Sequence, residues 1–320
     1  MIEENAMKVC FIGACGHWSQ ALRYLKTRND VVFCGFAPGS KEENRVSSID
    51  DRIPFFEDYC TMLDMTKPDL AVVSPVFGLT GKVVLACAER GVDVFAEKPV
   101  AATLEELEQV KAAVTRSGIR FCAMHYLRFT PSFYHAAQMV RSGKIGKVQM
   151  LTAQKSYKYG VRPAWYGDPG LYCGTIPWVG IHGMDWIAHF SGKRFVNVTA
   201  KNVGENPEMA ALCQFVLEDD VIASVNIDFY RPETAPTHGD DRVRCVGTKG
   251  ILEVIDDKIL LIDQAGVSEY RPNAAPDLLA EFLDGKDPLP MAEIFHITET
   301  AIKARDAART GKTVYIGDSR

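Results

Sequence analysis

The sequence of 320 residues has no excess of basic residues, since 36 lysines and arginines face 41 aspartates and glutamates for a net charge of −5. A nucleic-acid-binding surface needs a basic face that neutralises phosphates, so this balance argues against such a partner. No apolar run approaches the roughly 20 residues that span a bilayer, and residues 1–7 are polar rather than signal-like. We therefore expect neither a nucleic-acid partner nor a membrane anchor.

The cysteines also lack any arrangement typical of metal or disulfide sites. There are nine of them, none in a C-x-x-C pair, and most lie inside apolar runs. A free cysteine in such a run behaves as a small hydrophobic residue. The sequence therefore predicts neither a disulfide framework nor a metal site, and it favours the reducing cytoplasm as the location.

Residues 1–124 alternate short apolar runs with amphipathic stretches. The runs predict strands at residues 8–12, 31–36, 70–74, 92–96 and 120–124, and helical spacing predicts helices at 19–28, 79–90 and 104–117. Thr103 and Glu106 form a capping box before the last helix, and Gly118 follows its end. Such alternation predicts an α/β domain with a doubly wound parallel sheet over residues 1–124.

From residue 125 the pattern changes to longer runs that alternate apolar with polar residues. These predict strands at residues 148–157, 196–203, 212–217, 221–229, 243–247, 251–255 and 259–262. Helices are predicted at residues 132–141, around 182–190 and at 291–310. We expect residues 125–320 to form an α+β domain on a large, open, mainly antiparallel sheet.

The first predicted strand leads into a glycine-rich turn, Gly13-Ala14-Cys15-Gly16-His17-Trp18, and then a helix. In the dinucleotide fingerprint G-x-G-x-x-G, glycines allow a tight turn that brings backbone N–H groups to the pyrophosphate. Here Cys15 and Trp18 occupy the second and third glycine positions. On this motif alone, a strand–helix turn without a ligand is an equally good interpretation.

The second predicted strand ends without the acidic residue that usually holds the ribose 2′-hydroxyl. Phe36 and Ala37 stand there, followed by Ser40 and Lys41. Without that carboxylate, we expect NADP to bind at least as well as NAD, with Ser40 and Lys41 near the adenosine ribose. The alternative is that these residues form a solvated loop.

Two further segments carry candidate chemistry. Glu97-Lys98-Pro99 follows the fourth strand, where ligands of open α/β sheets bind, so Lys98 is expected at the site with its charge kept by exposure or by Glu97. A surface ion pair is the alternative. His182 and Asp185, three residues apart, share a face of an apolar helix, and preceding glycines would let that helix approach a ligand. A structural histidine is the alternative there.

Taken in order, these motifs resemble the glucose–fructose oxidoreductase/inositol dehydrogenase (Gfo/Idh/MocA) family over nearly the whole chain. The resemblance rests on the glycine turn and on Glu97-Lys98-Pro99, Arg128-Phe129-Thr130-Pro131, Gly143-Lys144-Ile145-Gly146, Asp168-Pro169, Gly180-Ile181-His182 with Asp185, and Gly247-Thr248-Lys249-Gly250. It implies a Rossmann domain that binds NAD or NADP, and a C-terminal sheet that joins a homodimer or homotetramer. It also implies oxidation or reduction of a hydroxyl or keto carbon of a sugar, inositol or related polyol. Lys98 and His182 would be the catalytic residues beside that carbon.

The candidate site residues follow from the motifs and the resemblance together. The predicted cofactor-binding residues lie in the glycine turn and at strand ends: Gly13, Ala14, Cys15, Gly16, His17, Trp18, Ala37, Ser40, Ser74, Pro75, Glu97 and Lys98. The predicted substrate-binding residues include aromatic side chains that can stack on a sugar ring: Lys98, His125, Arg162, Trp165, Trp178, His182 and His238. For His125 and His238, a structural or solvated role is the alternative.

The sequence also departs from the family pattern at several positions. Trp178 replaces an aspartate that often precedes the histidine, Val76 and Leu79 replace an asparagine and a histidine, and Tyr166 replaces an arginine. Two alternatives to net oxidation or reduction therefore remain. One is a lyase or hydrolase that uses the cofactor transiently without net redox turnover. The other is a non-catalytic regulator that binds a cofactor or a sugar.

Overall fold

The computed structural model describes residues 6–43, 52–205 and 207–317. The chain divides into two compact units. The first comprises Met1–Met124, Gly170–Cys173 and Leu278–Phe295, and the second comprises His125–Pro169, Gly174–Asp277 and His296–Arg320. The first unit thus takes in two segments that the sequence-based division assigned to the second domain. The roles predicted for the two domains stay predictions.

The strands and helices are numbered in chain order. The strands are β1 (Met7–Ile12), β2 (Val31–Ala37), β3 (Leu70–Val73), β4 (Asp93–Ala96), β5 (Phe121–Ala123), β6 (Val148–Tyr157), β7 (Phe195–Val203), β8 (Ala210–Leu217), β9 (Ile222–Asp228), β10 (Gly239–Gly247), β11 (Gly250–Ile255), β12 (Lys258–Asp263), β13 (Gly266–Tyr270) and β14 (Val314–Tyr315). The helices are α1 (Trp18–Leu25), α2 (Tyr59–Thr66), α3 (Thr80–Ala88), α4 (Leu104–Ser117), α5 (Pro131–Arg141), α6 (Pro169–Tyr172), α7 (Ile181–Ser191), α8 (Leu278–Leu283) and α9 (Met291–Thr310). Among the described residues, no helix combines the length and the apolar character needed to cross a membrane.

The first unit is built on a parallel sheet. In its described part, the strand order is β2-β1-β3-β4-β5, and each neighbouring pair is parallel. All four residues of β3 are buried, as expected for a strand covered on both faces. At the start of α4 the Thr103 hydroxyl accepts the Glu106 N–H at 3.1 Å, and Gly118 ends the helix at φ +69°. The predicted doubly wound sheet is confirmed.

The second unit is built on a larger, mixed sheet. Within the residues that the structure describes, its order is β13-β12-β11-β10-β6-β9-β8-β7-β14. Only β6 and β9 pair in parallel, and the other described neighbours are antiparallel. Inward-facing positions alternate with outward ones, as in β8, where Ala211, Cys213, Phe215 and Leu217 are buried. The predicted α+β architecture with a mainly antiparallel sheet is confirmed.

Helix α7 packs closely against this sheet. A Cβ atom placed on Gly183 would lie 2.6 Å from Cγ1 of Val225 on β9, so a larger residue would push the helix outward. Gly180, just before the helix, would place a Cβ atom 2.5 Å from Cδ1 of Ile227. We expected the glycines before the helix to let its N-terminus approach a ligand, and this stays a prediction. The structure shows that Gly180 and Gly183 let the helix approach the sheet.

Candidate active site

The glycine turn brings together residues from the ends of three strands. Gly13 has φ +75°, and a Cβ atom there would lie 2.5 Å from both Cα of Pro75 and the carbonyl oxygen of Ser74. Its N–H donates to the Ala37 carbonyl at 2.9 Å, and the Cys15 N–H donates to the Ser74 carbonyl at 2.8 Å. The Ser74 hydroxyl in turn donates to the Cys15 carbonyl. This position tolerates only glycine, which fits the tight turn that the first glycine of a dinucleotide motif makes.

The rest of the turn leads into α1. Gly16 is exposed with φ +76°, whereas Ala14, Cys15 and His17 are half-buried. Trp18 opens the helix and is 7% exposed, on the same buried face as Leu22 and Leu25. The structure therefore uses the indole, at the third glycine position of the motif, as a packing residue of α1.

The carboxylate of Glu97 links the end of β4 to the glycine turn. It is buried and accepts the His17 backbone N–H at 2.6 Å, with the His17 Nδ1 atom 2.9 Å from its Oε1. Burial alone would raise the pKa of this carboxyl. The charge and hydrogen bonds of His17, together with the charge of Lys98, outweigh burial and hold the pKa below its usual value. Glu97 is therefore an anion at neutral pH.

Lys98 is held beside that anion. Its Nζ atom lies 3.8 Å from Oε1 of Glu97, its side chain is 1% exposed, and its peptide bond to Pro99 is cis. We expected either solvent exposure or Glu97 to keep Lys98 positively charged. Because the side chain is buried, the expectation of solvent exposure is wrong. The neighbouring carboxylate remains, and an opposite charge at this distance favours the ammonium form. The arrangement places a cation directly after β4, at the sheet edge where the glycine turn lies.

In the second unit, Asp185 belongs to a buried charge cluster with Arg128 and His125. Its Oδ1 lies 2.5 Å from Nη2 of Arg128 and 3.0 Å from Nδ1 of His125, and none of the three side chains is more than 2% exposed. Burial would raise the pKa of this carboxyl, but the charges of Arg128 and His125 hold it well below its usual range. The Asp185 carboxylate therefore ties α7 to the buried side chains of Arg128 and His125, and it positions the His125 ring.

His182 lies one turn earlier on α7 and is 2% exposed. Its ring is 6.4 Å from that of Trp186 at an interplanar angle of 29°, and Trp186 stacks on Phe133 with ring centres 4.4 Å apart. A turn of π-helix, Ile176–Gly180, precedes the helix and carries Trp178, which is 9% exposed. Such turns are frequent at functional sites. Here the turn sets an indole immediately before the helix that carries His182.

A group of basic and aromatic side chains extends from Trp186 along the sheet. The Nζ atom of Lys155 lies 5.2 Å from the ring centre of Trp186 and 4.4 Å from that of Tyr157, and it pairs with Asp241. The ring of His238 is 5.1 Å from that of Tyr157. Burial, then nearby Arg162 and Lys155, lowers the pKa of His238, which favours its neutral form. His238 thus lies beside Tyr157 and within the electrostatic influence of Arg162, which is one of the predicted substrate-binding residues.

Arg162 completes this basic and aromatic group. Its guanidinium lies 5.8 Å from the ring centre of Tyr159, 5.3 Å from that of Tyr166 and 5.6 Å from that of Phe229. Trp165 is next to Tyr166, with ring centres 4.5 Å apart. Guanidinium and aromatic faces of this kind stack readily on planar or apolar ligand surfaces. The structure thus gathers the predicted residues Arg162 and Trp165 in one loop region.

Sequence reasoning missed Lys155 and Glu43. Lys155 occupies an inward position of β6, two residues after buried Ala153 and four after buried Leu151, so its alternation with the apolar residues was a usable signal. Glu43 had no such signal, because the hydrogen bond that ties its carboxylate to the end of β3 comes from Val76, far away in the chain. In the part of the chain that the structure describes, no cluster of histidine, cysteine, aspartate or glutamate is arranged to hold a metal ion.

Comparison with known proteins agrees with this architecture. Residues 7–125 match the family model described as an oxidoreductase family with an NAD-binding Rossmann fold, and residues 133–253 match the model of the GFO/IDH/MocA C-terminal domain. A Thermotoga maritima protein assigned as an oxidoreductase is 38% identical at a TM-score of 0.92, covering 97% of this chain and 100% of its own.

Curated relatives are more distant. An inositol 2-dehydrogenase from Saccharopolyspora erythraea is 30% identical over 43% of this chain and 40% of its own length. A scyllo-inositol 2-dehydrogenase (NADP⁺) from Bacillus subtilis is 27% identical over 39% of this chain and 35% of its own. The chain thus matches less than half the length of either relative. Both family models and the full-length structural match nevertheless agree: the chain belongs to the Gfo/Idh/MocA oxidoreductase family, and its first unit is of the NAD-binding Rossmann type.

Proposed function

We propose that this protein is an NAD(P)-dependent oxidoreductase that acts on a hydroxyl or keto carbon of a sugar, an inositol or a related polyol. The observation that carries the proposal is the link from the glycine turn through His17 and Glu97 to Lys98. It ties a cation at the end of β4 to the turn that fits a dinucleotide. The bound nicotinamide would accept or supply the hydride.

The residues of the chain would then manage the substrate oxygen and one proton. Lys98, kept cationic by Glu97, would hydrogen-bond the hydroxyl and stabilise the negative charge that develops on its oxygen. His182 would accept the hydroxyl proton during oxidation and return it during reduction. The aromatic residues near His238 and Arg162 suit the apolar face of a sugar ring.

The test is turnover of a panel of polyols with NAD⁺ or NADP⁺, followed by the absorbance of the reduced nicotinamide. We expect Lys98→Ala and His182→Ala each to lower kcat by roughly 10²–10⁴, the usual effect of removing a positioned acid or base. Lys82→Ala and His135→Ala, at exposed positions, are the matched controls. If both site variants retain the kcat of the parent on a substrate that it turns over, the assignment of these two residues is wrong.

The same experiment separates the alternatives. Product formed with substoichiometric cofactor and no accumulation of reduced nicotinamide would indicate a lyase or hydrolase that restores its cofactor. A rise in melting temperature with dinucleotide or sugar, but without turnover, would indicate a binding protein.

We also propose that the second unit joins a homodimer or homotetramer through its sheet. The face lined by β6 to β9 carries uncharged polar and apolar side chains, among them Thr152, Gln214, Ser224 and Ile222. Ile222 is 52% exposed and Leu212 is 43% exposed on neighbouring strands. Exposed apolar and uncharged side chains of this kind are typical of an interface.

A further inference from the structure

The carboxylate of Glu43 lies where the ends of the first three strands meet. Its Oε1 accepts the Val76 backbone N–H at 2.7 Å, just after β3, and its Oε2 accepts the Gly39 N–H at 3.4 Å, just after β2. The backbone N–H of Ala14, in the glycine turn after β1, also stabilises its charge. A turn closed by the Glu43 N–H and the Ser40 carbonyl, 3.2 Å apart, holds the residue in place.

This location is the one where a Rossmann domain places its ribose-binding acid. That acid usually stands at the end of the second strand and accepts hydrogen bonds from the adenosine ribose hydroxyls. Here β2 ends at Phe36 and Ala37, which have no carboxylate. Glu43 brings a carboxylate back to the end of that strand from six residues further along the loop.

The surroundings of this carboxylate favour further hydrogen-bond donors. Burial raises the pKa of Glu43 above its usual value, although the backbone N–H groups of Val76 and Gly39 act in the opposite direction. A carboxylate offers about four acceptor positions, and the backbone N–H groups of Val76, Gly39 and Ala14 use three of them, so one position is left for a ribose hydroxyl. A 2′-phosphate would instead bring a charge of about −1.5 to −2 towards the half-buried carboxylate of Glu43.

We propose that Glu43 is the ribose-binding carboxylate of the dinucleotide site, and that it makes the protein select NAD(H) over NADP(H). This reverses the expectation drawn from the end of β2 alone. Lys41, the cation expected near a 2′-phosphate, is exposed, whereas Glu43 is anchored to the ends of β2 and β3. The inference rests on the dinucleotide site of the proposed function, but it does not depend on the substrate or on turnover.

The test is calorimetric titration of the full chain with NAD⁺ and with NADP⁺. We expect the parent to bind NAD⁺ roughly tenfold more tightly or better, which is the effect of a hydrogen bond to a charged group. Glu43→Gln keeps an acceptor for the Val76 N–H and removes the charge. It should therefore lower the ratio of the Kd for NADP⁺ to the Kd for NAD⁺ roughly tenfold. Glu42→Gln, at the exposed neighbouring position, is the matched control and should leave the ratio unchanged.

Other outcomes would overturn the inference. NADP⁺ bound as tightly as NAD⁺ by the parent, or an unchanged ratio in Glu43→Gln, would show that the carboxylate does not read the ribose. Equal tightening of both cofactors in the variant would show that Glu43 only occupies the backbone N–H groups. Melting temperatures without ligand verify that the variants fold. A protein that binds NAD⁺ through Glu43 but turns over no polyol would refute the proposed function alone, and one that binds neither dinucleotide would refute both.

Discussion

Removing the charge of Asp185 should destabilise the second unit strongly. Asp185→Asn keeps the shape of the side chain but leaves the guanidinium of Arg128, 2% exposed, without its carboxylate. Burial, and then the charge of Arg128, lowers the pKa of the neighbouring His189 to about 3, so that ring is neutral, and an imidazole supplies no negative charge in place of the carboxylate. Breaking a buried ion pair on one side costs roughly 3–5 kcal/mol.

The effect is measurable by thermal unfolding. For a domain of 150–250 residues, each kcal/mol shifts the melting temperature by roughly 2–4 °C, so we expect a decrease of roughly 6–20 °C. Trp186, on the same helix, provides a fluorescence signal from this unit. Asp257→Asn is the matched control, because Asp257 pairs with Arg271 where both side chains are more than half exposed, and its effect should be much smaller.

A second variant identifies the cause. Adding Arg128→Met to Asp185→Asn removes the uncompensated charge, so the double variant should recover part of the lost stability. The pKa of Asp185 is lower in the folded state, so its contribution is complete above the unfolded value of about 4 and is lost as pH falls through the folded value. The difference in melting temperature between the parent and Asp185→Asn should therefore decrease at acidic pH. A single variant as stable as the parent, or a double variant no better than the single one, would refute this reasoning.

Three further predictions follow from the structure. Gly13→Ala should lower the melting temperature more than Gly91→Ala. Both glycines have a positive φ, which costs a residue with a Cβ atom roughly 1–2 kcal/mol, but only at Gly13 would that atom also collide with Pro75. Equal shifts in the two variants would contradict this. Trp178→Ala should raise KM far more than it lowers kcat in steady-state kinetics, because the indole is expected to form a wall of the substrate site; an effect on kcat alone would contradict that role. Light scattering at micromolar concentration should give a dimer or tetramer mass, and a monomer mass of 35.4 kDa would exclude assembly through the sheet.

The sequence predicted the fold where short-range signals determine it. α4 begins and ends where Thr103 and Gly118 predict, because a cap and a left-handed glycine act on their own neighbours. α2 was missed although Asp58 caps it, because few apolar residues mark its buried face. β13 was missed because all its residues are exposed, so it shows no alternation of burial.

The candidate site was predictable only in part, for a related reason. Gly13 and Lys98 stand in local motifs, so the sequence identifies them, but it does not reveal that Glu97 bonds to His17 across 80 residues. Glu43 lies in no motif, and its hydrogen bond to Val76 spans 33 residues. Long-range partners of this kind depend on the order of the strands in the sheet, which no local pattern encodes.

Two aspartates of the second unit, one buried and one half-buried, show how such partners decide the charge of a carboxyl group. Asp185 faces a guanidinium and an imidazole, and its pKa lies well below the usual range despite burial. Asp241 pairs with Lys155, yet burial dominates there: the pKa of Asp241 is raised and that of Lys155 is lowered. Both shifts are in the direction that favours the uncharged forms of the two groups. The same residue type is therefore held as an anion in one cluster and shifted towards its protonated form in the other, and only the folded arrangement distinguishes them.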